Sequence, residues 1–277
     1  MTAFRGRLPM FKYFGSKCRS GKYYPPPKYP TICEPFAGGA GYSLRYRDHD
    51  VILGDLDDEL IRLWQWLIVA DPAEISALPH ESLVVGQDLR TLGLRPEAAD
   101  LIRRWQRTGH CSSWTVSNLN HIVRMRDSGE RSPHATSKWN KRITEWLPGP
   151  VPNGTVGKNT GMWHPNTRAY LAYAVTTIRH WQAYHIAYDD WPDIEATWFI
   201  DPPYQHVASS YRVCTPIDYA RLRDWVMSRR GQVIVCEQAG ADWLPFVPCC
   251  EVSGMRGKMR GVAGAKSQEV VFVREVL

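Results

Sequence analysis

The chain has 277 residues, 44% of them hydrophobic and 22% charged, and its 34 Lys and Arg against 28 Asp and Glu give a formal net charge of +6. These values describe an ordinary globular protein with enough chain to bury a large core. No stretch approaches the roughly 18 consecutive apolar residues of a membrane span, and the first residues lack the apolar run of a signal peptide. We therefore expect a cytoplasmic protein without a membrane partner.

Cysteine and histidine usage bears on disulfides and metals. The seven cysteines are an odd number in a chain too large to need cross-linking, so we expect no disulfide framework. No CxxC pair occurs, and the nine histidines show no ligand spacing with the cysteines. We therefore expect no metal.

In chain order, short β-branched or apolar runs alternate with helical patterns. The runs that predict buried strands are residues 31–37, 51–56, 185–189, 197–200, 232–236 and 269–273. The spacing i, i+3, i+4, i+7 predicts two helices, whose inward residues are Leu60, Leu63, Trp64 and Leu67, and Leu171, Ala174, Val175 and Ile178. A capping-box pattern at residues 215–218 predicts another helix, whose inward residues are Tyr219, Leu222 and Val226.

Strands that alternate with helices predict an α/β fold with a doubly wound, mainly parallel, Rossmann-like sheet. The long interval between the second and third strands breaks this alternation. Residues 96–107 and 114–126 are compatible with helices, whereas residues 128–161 are rich in Gly, Pro, Ser, Asn and basic residues. We interpret residues 71–164 as an inserted, mostly helical lobe, and residues 1–70 with 165–277 as the main domain.

The charge is unevenly distributed along the chain. The net charge is +7 over residues 1–32, −8 over 33–102, +8 over 103–168 and −1 over 169–277. Residues 103–168 also hold five of the twelve tryptophans. Basic residues interleaved with aromatic ones suit a nucleic acid, although a solvated face with structural tryptophans explains them equally well.

A glycine-rich turn follows the first predicted strand and leads into a predicted helix, in the segment Ile-Cys-Glu-Pro-Phe-Ala-Gly-Gly-Ala-Gly at residues 32–41. Glycine lets the backbone approach a ligand closely, because it has no Cβ and tolerates positive φ. Asp55 follows Gly38 by seventeen residues, at the end of the second predicted strand, where a carboxylate commonly accepts hydrogen bonds from a ribose. The combination favours a nucleoside-containing cofactor over a purely structural tight turn.

The tetrapeptide Asp201-Pro202-Pro203-Tyr204 directly follows the predicted strand 197–200. In open α/β sheets, ligands bind outside the carboxyl ends of the strands. Asp201 can accept one N–H of an exocyclic amino group and the Pro202 carbonyl can accept the other, while Tyr204 offers a face for stacking. The amino group of adenine is an exocyclic group of this kind. Because a base inside a duplex cannot be held in this way, the target base must be flipped out of the stack. A rigid turn that ends a strand is the alternative interpretation.

These motifs together resemble those of Dam-type DNA adenine-N6 methyltransferases. The resemblance lies in Phe-Lys-Tyr-Phe-Gly-Ser-Lys at residues 11–17, Glu-Pro-Phe-Ala-Gly-Gly at 34–39, Asp55, and the tetrapeptide at 201–204. Their order is that of the alpha group of amino-methyltransferases, with a target-recognition insertion before the tetrapeptide. The resemblance implies S-adenosylmethionine as cofactor, double-stranded DNA as partner, and a bacterial or phage-infected cell.

The resemblance also implies roles for individual residues. Asp201, Pro202, Pro203 and Tyr204 would hold the flipped adenine, and Asp55 would bind the cofactor ribose. Asp189, or its neighbour Asp190, would lie near the cofactor adenine. The other cofactor-binding residues that it implies are Tyr13, Phe14, Gly15, Lys17, Glu34, Phe36, Ala37, Gly38, Gly39 and Leu56.

Within the insertion, the side chains that could contact phosphates or bases are Arg124, Arg126, Lys138, Lys141, Arg142 and Lys158. Residues 138–162 are similar to the family's GATC-reading hairpin only in being basic, aromatic and glycine-rich. Two alternative functions stay open. One is cytosine-N4 methylation, because Asp201 and the Pro202 carbonyl could hold the amino group of cytosine in the same way. The other is a catalytically silent DNA-binding protein. RNA or a glutamine side chain is a more distant substrate. The tetrapeptide and the alpha-type order favour adenine.

Overall fold

The computed structural model describes residues 9–80, 82–84, 86–106, 114–116, 163, 165–206, 212–213, 216–253 and 266–275. Within these ranges the chain forms a mixed seven-stranded sheet and several helices, which confirms the predicted α/β class. The strands are β1 Thr31–Glu34, β2 Asp50–Asp55, β3 Gln182–His185, β4 Ala196–Ile200, β5 Gly231–Gln238, β6 Val247–Ser253 and β7 Lys266–Glu275. The helices are α1 Asp58–Val69, α2 Pro72–Ala77, α3 Pro96–Gln106, α4 Pro165–Thr176 and α5 Tyr219–Ser228.

The strand order in the sheet is β3-β2-β1-β4-β5-β7-β6. The first five strands in this order are parallel, and β7 is antiparallel to both of its neighbours. β1 therefore lies between β2 and β4, although β4 follows β2 by about half the length of the chain. The carboxyl ends of these three strands consequently meet at one edge of the sheet.

The central strands are buried on both faces, as expected for parallel strands that are covered by other elements. All five residues of β4 are buried, and Trp198 from this strand packs edge-to-face against Trp225 of α5 at a centroid distance of 5.6 Å. Close packing also explains a glycine in β2: a Cβ at Gly54 would lie only 2.5 Å from the ring of Trp191. The apolar runs seen in the sequence thus form the core around the sheet.

The chain divides into two compact units. One comprises residues 15–61 and 180–277 and contains the whole sheet with α5, while the other comprises residues 1–14 and 62–179 and contains α2, α3 and α4. In the second unit, the indole of Trp105 in α3 donates a 2.9 Å hydrogen bond to the Met10 carbonyl, and Phe11 packs against Trp64. The division into a main domain of residues 1–70 and 165–277 and an inserted lobe of residues 71–164 stays a prediction.

Three local predictions need correction. The apolar pattern at 185–189 predicts a strand, but β3 spans Gln182–His185, its pairing with β2 ends at His185, and residues 188–190 form a short 3-10 turn. Residues 114–116 do not begin a helix: Thr115 forms an antiparallel bridge with Asp88. The glycine-rich turn leads into a three-residue 3-10 turn, Ser43–Arg45, and not into a regular helix.

The predicted capping box is also wrong. α5 begins at Tyr219, with Asp218 as its N-cap, and the Asp218 carboxylate accepts from the N–H groups of Ala220 and Arg221 at 3.0 and 3.1 Å. An aspartate that satisfies two free N–H groups is a strong helix start, so the helix starts after Asp218 and not three residues earlier. The inward-facing Leu222 and Val226 are buried as predicted.

Across the described parts of the chain, none of the helices has the length and apolar character needed to cross a bilayer. The same residues contain no group of three or more His, Cys, Asp or Glu side chains arranged to hold a metal ion. The cysteines that fall within the described ranges, Cys18, Cys33, Cys236, Cys249 and Cys250, are all free thiols.

Candidate active site

The candidate site lies at the carboxyl ends of β1, β2 and β4, all within the unit that contains the sheet. β1 leads into the glycine-rich turn, β2 ends at Asp55, and β4 leads directly into Asp201. Cys33 of β1 pairs with Trp198 of β4, three residues before Asp201. The two motifs picked out in the sequence are therefore adjacent at the edge of the sheet.

The turn after β1 has the backbone geometry that its glycines suggest. Gly38 has φ 46°, and Ala40 takes a similar positive φ of 45°. The Gly38 N–H donates a 3.1 Å hydrogen bond to Oδ2 of Asp55, and the Ala37 N–H donates to the Gly54 carbonyl at 2.9 Å. The turn is thus hydrogen-bonded to the end of β2, and Gly38 is in direct contact with Asp55, which the sequence combines with it as a cofactor signal.

Asp55 is half-buried and accepts backbone hydrogen bonds from Gly38 at Oδ2 and from Asp57 at Oδ1, the latter at 3.0 Å, with the N–H of Leu56 also acting on the carboxylate. Burial raises the pKa of this carboxyl, while these N–H donors act in the opposite direction. A carboxylate has about four lone-pair positions, so both oxygens retain the capacity to accept from a ligand. Next to it, the side chain of Leu56 is 42% exposed, which leaves an apolar surface at the end of β2.

Glu34, the last residue of β1, forms hydrogen bonds within the protein. Its Oε1 accepts from the N–H of Ser43 at 2.8 Å and from the hydroxyl of Ser43 at 2.5 Å, and the side chain is buried. Burial raises the pKa of Glu34 to about 8. The carboxyl group therefore links the end of β1 to the short turn at Ser43–Arg45, which lies beyond the glycines.

Aromatic residues and an ion pair lie near the ends of β1 and β3. Phe36 stacks on Tyr188 at a centroid distance of 5.5 Å, and Tyr188 packs edge-to-face on Trp225. Asp189, in the same 3-10 turn as Tyr188, forms a 2.5 Å ion pair with Arg221 of α5. Its neighbour Asp190 is exposed. Asp189 therefore lies beside the aromatic pair, in an ion pair with a largely exposed arginine.

The central contact of the site joins the N-terminal motif to the tetrapeptide. Nζ of Lys17 lies 2.8 Å from both Oδ1 and Oδ2 of Asp201. The same ammonium lies 5.0 Å from the ring centroid of Tyr204, within the range of a cation–π contact. The side chains of Lys17 and Asp201 are 5% and 18% exposed. Two residues 184 positions apart in the sequence thus form one buried ion pair.

The backbone around Lys17 explains why this segment contains glycines. Gly15 has φ 77°, a value that glycine adopts easily, and its carbonyl accepts from the Lys17 ammonium at 3.2 Å. On the other side, a Cβ at Gly41 would lie 2.4 to 2.7 Å from backbone atoms of Lys17 and Cys18. Gly41, the last glycine of the turn, therefore allows the N-terminal motif to pack against the turn.

The tetrapeptide backbone is held by residues that the motifs did not identify. The hydroxyl of Tyr219 donates a 2.7 Å hydrogen bond to the Pro203 carbonyl. Buried Glu237, in β5, accepts from the N–H of Gln205 at 2.8 Å. Among the described residues, no group donates to the Pro202 carbonyl. The groups on either side of this carbonyl, Asp201 and the Pro203 carbonyl, are both held by hydrogen bonds.

A layer of buried polar groups surrounds this cluster. The hydroxyl of Tyr24 donates to the carboxylate of Glu269 in β7, and both side chains are buried. Cys236 of β5 is buried beside them, and burial raises the pKa of its thiol, which keeps it neutral. The hydroxyl of Tyr204 is buried and has no hydrogen-bond partner among the described residues. The sequence predicts a strand that begins at Glu269, but it assigns no role in the site to Glu269 or to Tyr24.

The structure brings together only part of the predicted site. Lys17, Asp201 and Tyr204 form one group, while Gly38 and Asp55 form another at the neighbouring strand ends. Tyr13 and Phe14 belong to the other compact unit, in which Tyr13 packs against Phe11 and Arg104. The predicted DNA-binding residues Arg124, Arg126, Lys138, Lys141, Arg142 and Lys158 lie outside the described residues.

Comparison of the chain with protein-family models finds no match, and comparison with curated proteins finds none either. The geometry of the site is therefore the basis for inferring a function.

Proposed function

We propose that the protein is an S-adenosylmethionine-dependent DNA methyltransferase that acts on the exocyclic N6 of an adenine flipped out of double-stranded DNA. The observation that carries this proposal is the adjacency of two motifs at the carboxyl ends of parallel strands. The glycine-rich turn with Asp55 follows β1 and β2, and the Lys17, Asp201 and Tyr204 cluster follows β4. The first is suited to a nucleoside cofactor and the second to a planar base with an amino group.

The sheet supports a finer description of the fold. The order 3-2-1-4-5 of its parallel strands is that of the Rossmann fold, in which ligands bind where the strand order reverses. That position lies between β1 and β4, next to Gly38 and Asp201. We therefore propose a doubly wound catalytic domain of residues 1–70 and 165–277, with residues 71–164 as the inserted recognition lobe.

The residues at the end of β1 and β2 fit S-adenosylmethionine. Asp55 would accept from the ribose hydroxyls through its remaining lone pairs, and the exposed side chain of Leu56 would cover an apolar part of the nucleoside. Gly38 and Gly39 carry no Cβ, so the cofactor could approach their backbone closely. Asp189 follows Tyr188, which stacks on Phe36, and it would complete the same subsite.

Asp201 and Pro202 would hold the target amine. One N–H of the adenine amino group donates to the Asp201 carboxylate, and the other donates to the Pro202 carbonyl, which has no described donor. With both hydrogens held in place, the nitrogen lone pair points away from them. Tyr204 stacks on the base and fixes the plane of its ring.

The chemistry needs positioning and one proton acceptor. When bound, S-adenosylmethionine supplies an electrophilic methyl group on a positively charged sulfur, and this strong donor removes the need for a metal. Asp201 and the Pro202 carbonyl would hold the nitrogen in place for attack on that group. A carboxylate is a weak base, so Asp201 accepts the amine proton as the nitrogen becomes cationic, and the products are N6-methyladenine, S-adenosylhomocysteine and a proton.

A labelled transfer assay tests this function. The full chain is incubated with methyl-labelled S-adenosylmethionine and double-stranded DNA of mixed sequence, and the nucleosides are then analysed. We expect label in N6-methyladenine. Label only in N4-methylcytosine, or no label in DNA, overturns the proposal. Asp201→Ala should abolish transfer but keep cofactor binding, whereas Asp224→Ala, on the exposed face of α5, should retain both.

A further inference from the structure

We infer that Lys17 is a positioning residue that keeps the Asp201 carboxylate ionised and oriented toward the target amino group. This role rests on the proposed function, and it assigns to Lys17 a task beyond the one that its N-terminal motif implies. Its ammonium bonds both oxygens of Asp201 at 2.8 Å and the Gly15 carbonyl at 3.2 Å, so all three of its N–H groups have acceptors.

The geometry of the ion pair fixes the orientation of Asp201. An ammonium placed equally between two carboxylate oxygens resists rotation of the carboxylate about its Cβ–Cγ bond. Each oxygen keeps a lone pair on the side away from Lys17, so Asp201 can still accept from the target amine. The ammonium is itself held by the Gly15 carbonyl at 3.2 Å and lies over the Tyr204 ring. Lys17 thus orients the carboxylate and the stacking ring together.

The surroundings of Asp201 are otherwise unfavourable to a negative charge. Titratable side chains from the surrounding strands face Asp201. They are Glu34 of β1, Cys236 and Glu237 of β5, and Glu269 of β7. Tyr24 and Tyr204 complete the surroundings. Among the described residues, Lys17 is the cation that bonds Asp201.

The ammonium of Lys17 determines whether the Asp201 carboxyl is ionised, because it opposes the effect of burial on the pKa of this group. Burial raises the pKa of Asp201 to about 6, even though Lys17 acts to lower it. An adjacent opposite charge lowers a carboxyl pKa by about 1–3 units. Without Lys17, Asp201 would therefore be largely protonated near neutral pH. A protonated carboxyl group can neither accept the same hydrogen bond from the amine nor take up its proton.

The test is the pH dependence of single-turnover methyl transfer with the full chain and double-stranded DNA. In Lys17→Met, we expect the midpoint of the acid limb to rise by about 1–3 units, so that transfer is lost near neutral pH and recovers at higher pH. Lys17→Arg keeps the charge and should restore a midpoint close to that of the wild type. Lys12→Met removes a lysine of the same motif that donates to the Trp105 carbonyl, and it should leave the midpoint unchanged.

A second measurement separates this inference from the proposed function. Carbon-13 NMR of aspartate-labelled protein reports the Asp201 carboxyl directly, with Asp201→Asn identifying its signal. We expect a higher titration midpoint in Lys17→Met than in the wild type, with or without transfer activity. An unchanged midpoint in Lys17→Met, by NMR or in the transfer assay, overturns the role of Lys17. Absence of transfer by the wild type overturns the proposed function alone.

Discussion

The carboxylate of Glu237 accepts a 2.8 Å hydrogen bond from the backbone N–H of Gln205, the residue that follows Tyr204. The same oxygen of Glu237 also accepts from the indole of Trp243 at 3.2 Å, and the other oxygen accepts from the N–H of Gln238 at 2.8 Å. Glu237 lies in β5 and Gln205 follows β4, so this buried side chain ties the end of the tetrapeptide to the neighbouring strand.

Glu237→Ala should therefore impair catalysis more than cofactor binding. The substitution leaves the N–H of Gln205 and the indole of Trp243 without their acceptor, which lowers the stability by about 1–3 kcal/mol for each buried group. Because the end of the tetrapeptide then loses its link to β5, we expect methyl transfer to fall by about tenfold or more, which corresponds to about 1.4 kcal/mol of activation free energy. Asp242→Ala is the matched control, because Asp242 bonds the exposed side-chain amide of Gln205. Equal kcat values for the two variants would contradict this prediction.

A second prediction concerns Gly41. A Cβ at this position would meet three backbone atoms of Lys17 and Cys18 at 2.4 to 2.7 Å, and backbone cannot move aside as a side chain can. Gly41→Ala should displace Lys17 from Asp201, lower the thermal midpoint and reduce transfer by an order of magnitude or more. In the control Gly21→Ala, the nearest atom is Cδ of the Arg45 side chain at 2.9 Å and the nearest backbone atom lies at 3.4 Å, so we expect a smaller loss than in Gly41→Ala. A Gly41→Ala protein with wild-type stability and activity would show that the two segments do not pack as described.

The sequence predicts the strands and the paired motifs, but not the contacts that complete the site. β4 could be predicted because its residues are apolar throughout, and the pairing of Gly38 with Asp55 because both follow consecutive strands. β6 was missed: Pro248 and two cysteines interrupt its pattern, and its register shifts near Pro248. The Lys17–Asp201 pair depends on strand order, which places residues 184 positions apart side by side. No local pattern carries that information.

Asp55 offers a direct test of cofactor binding. Asp55→Ala removes the acceptor of the Gly38 N–H and the oxygens proposed to bind the ribose. We expect the affinity for S-adenosylmethionine, measured by calorimetric titration, to fall at least tenfold. Asp48→Ala changes an exposed aspartate in the preceding turn and should not affect it. Wild-type affinity in Asp55→Ala would exclude this carboxylate from the cofactor site.

The buried carboxyl of Glu34 should make stability depend on pH. Burial raises the pKa of Glu34 from 4.5 to about 8 in the folded protein, so the unfolded chain loses this proton at lower pH than the folded one. The stability contributed by the group is therefore fully present below pH 4.5 and is lost as the pH rises toward 8.

Glu34→Gln keeps an acceptor oxygen for Ser43 and cannot ionise. The thermal midpoint of this variant should exceed that of the wild type near pH 8, and the difference should disappear toward the acid end of the range. Unfolding followed by circular dichroism across this pH range provides the measurement. The exposed Glu195→Gln serves as control and should show no such trend. A Glu34→Gln curve parallel to that of the wild type would contradict a buried, protonated Glu34.

The last prediction concerns DNA and rests on the charge pattern, since residues 103–168 carry a net charge of +8. Each lysine or arginine that neutralises a phosphate contributes about 0.9 to the slope of log K against log salt concentration. Replacing Lys138, Lys141 and Arg142 by glutamine should weaken binding and reduce that slope by up to about 2.7. Replacing the exposed Arg95, Arg223 and Arg230 removes the same charge elsewhere and should change the slope less. Equal slopes for the two triple variants would show that the insertion does not provide the DNA-binding surface.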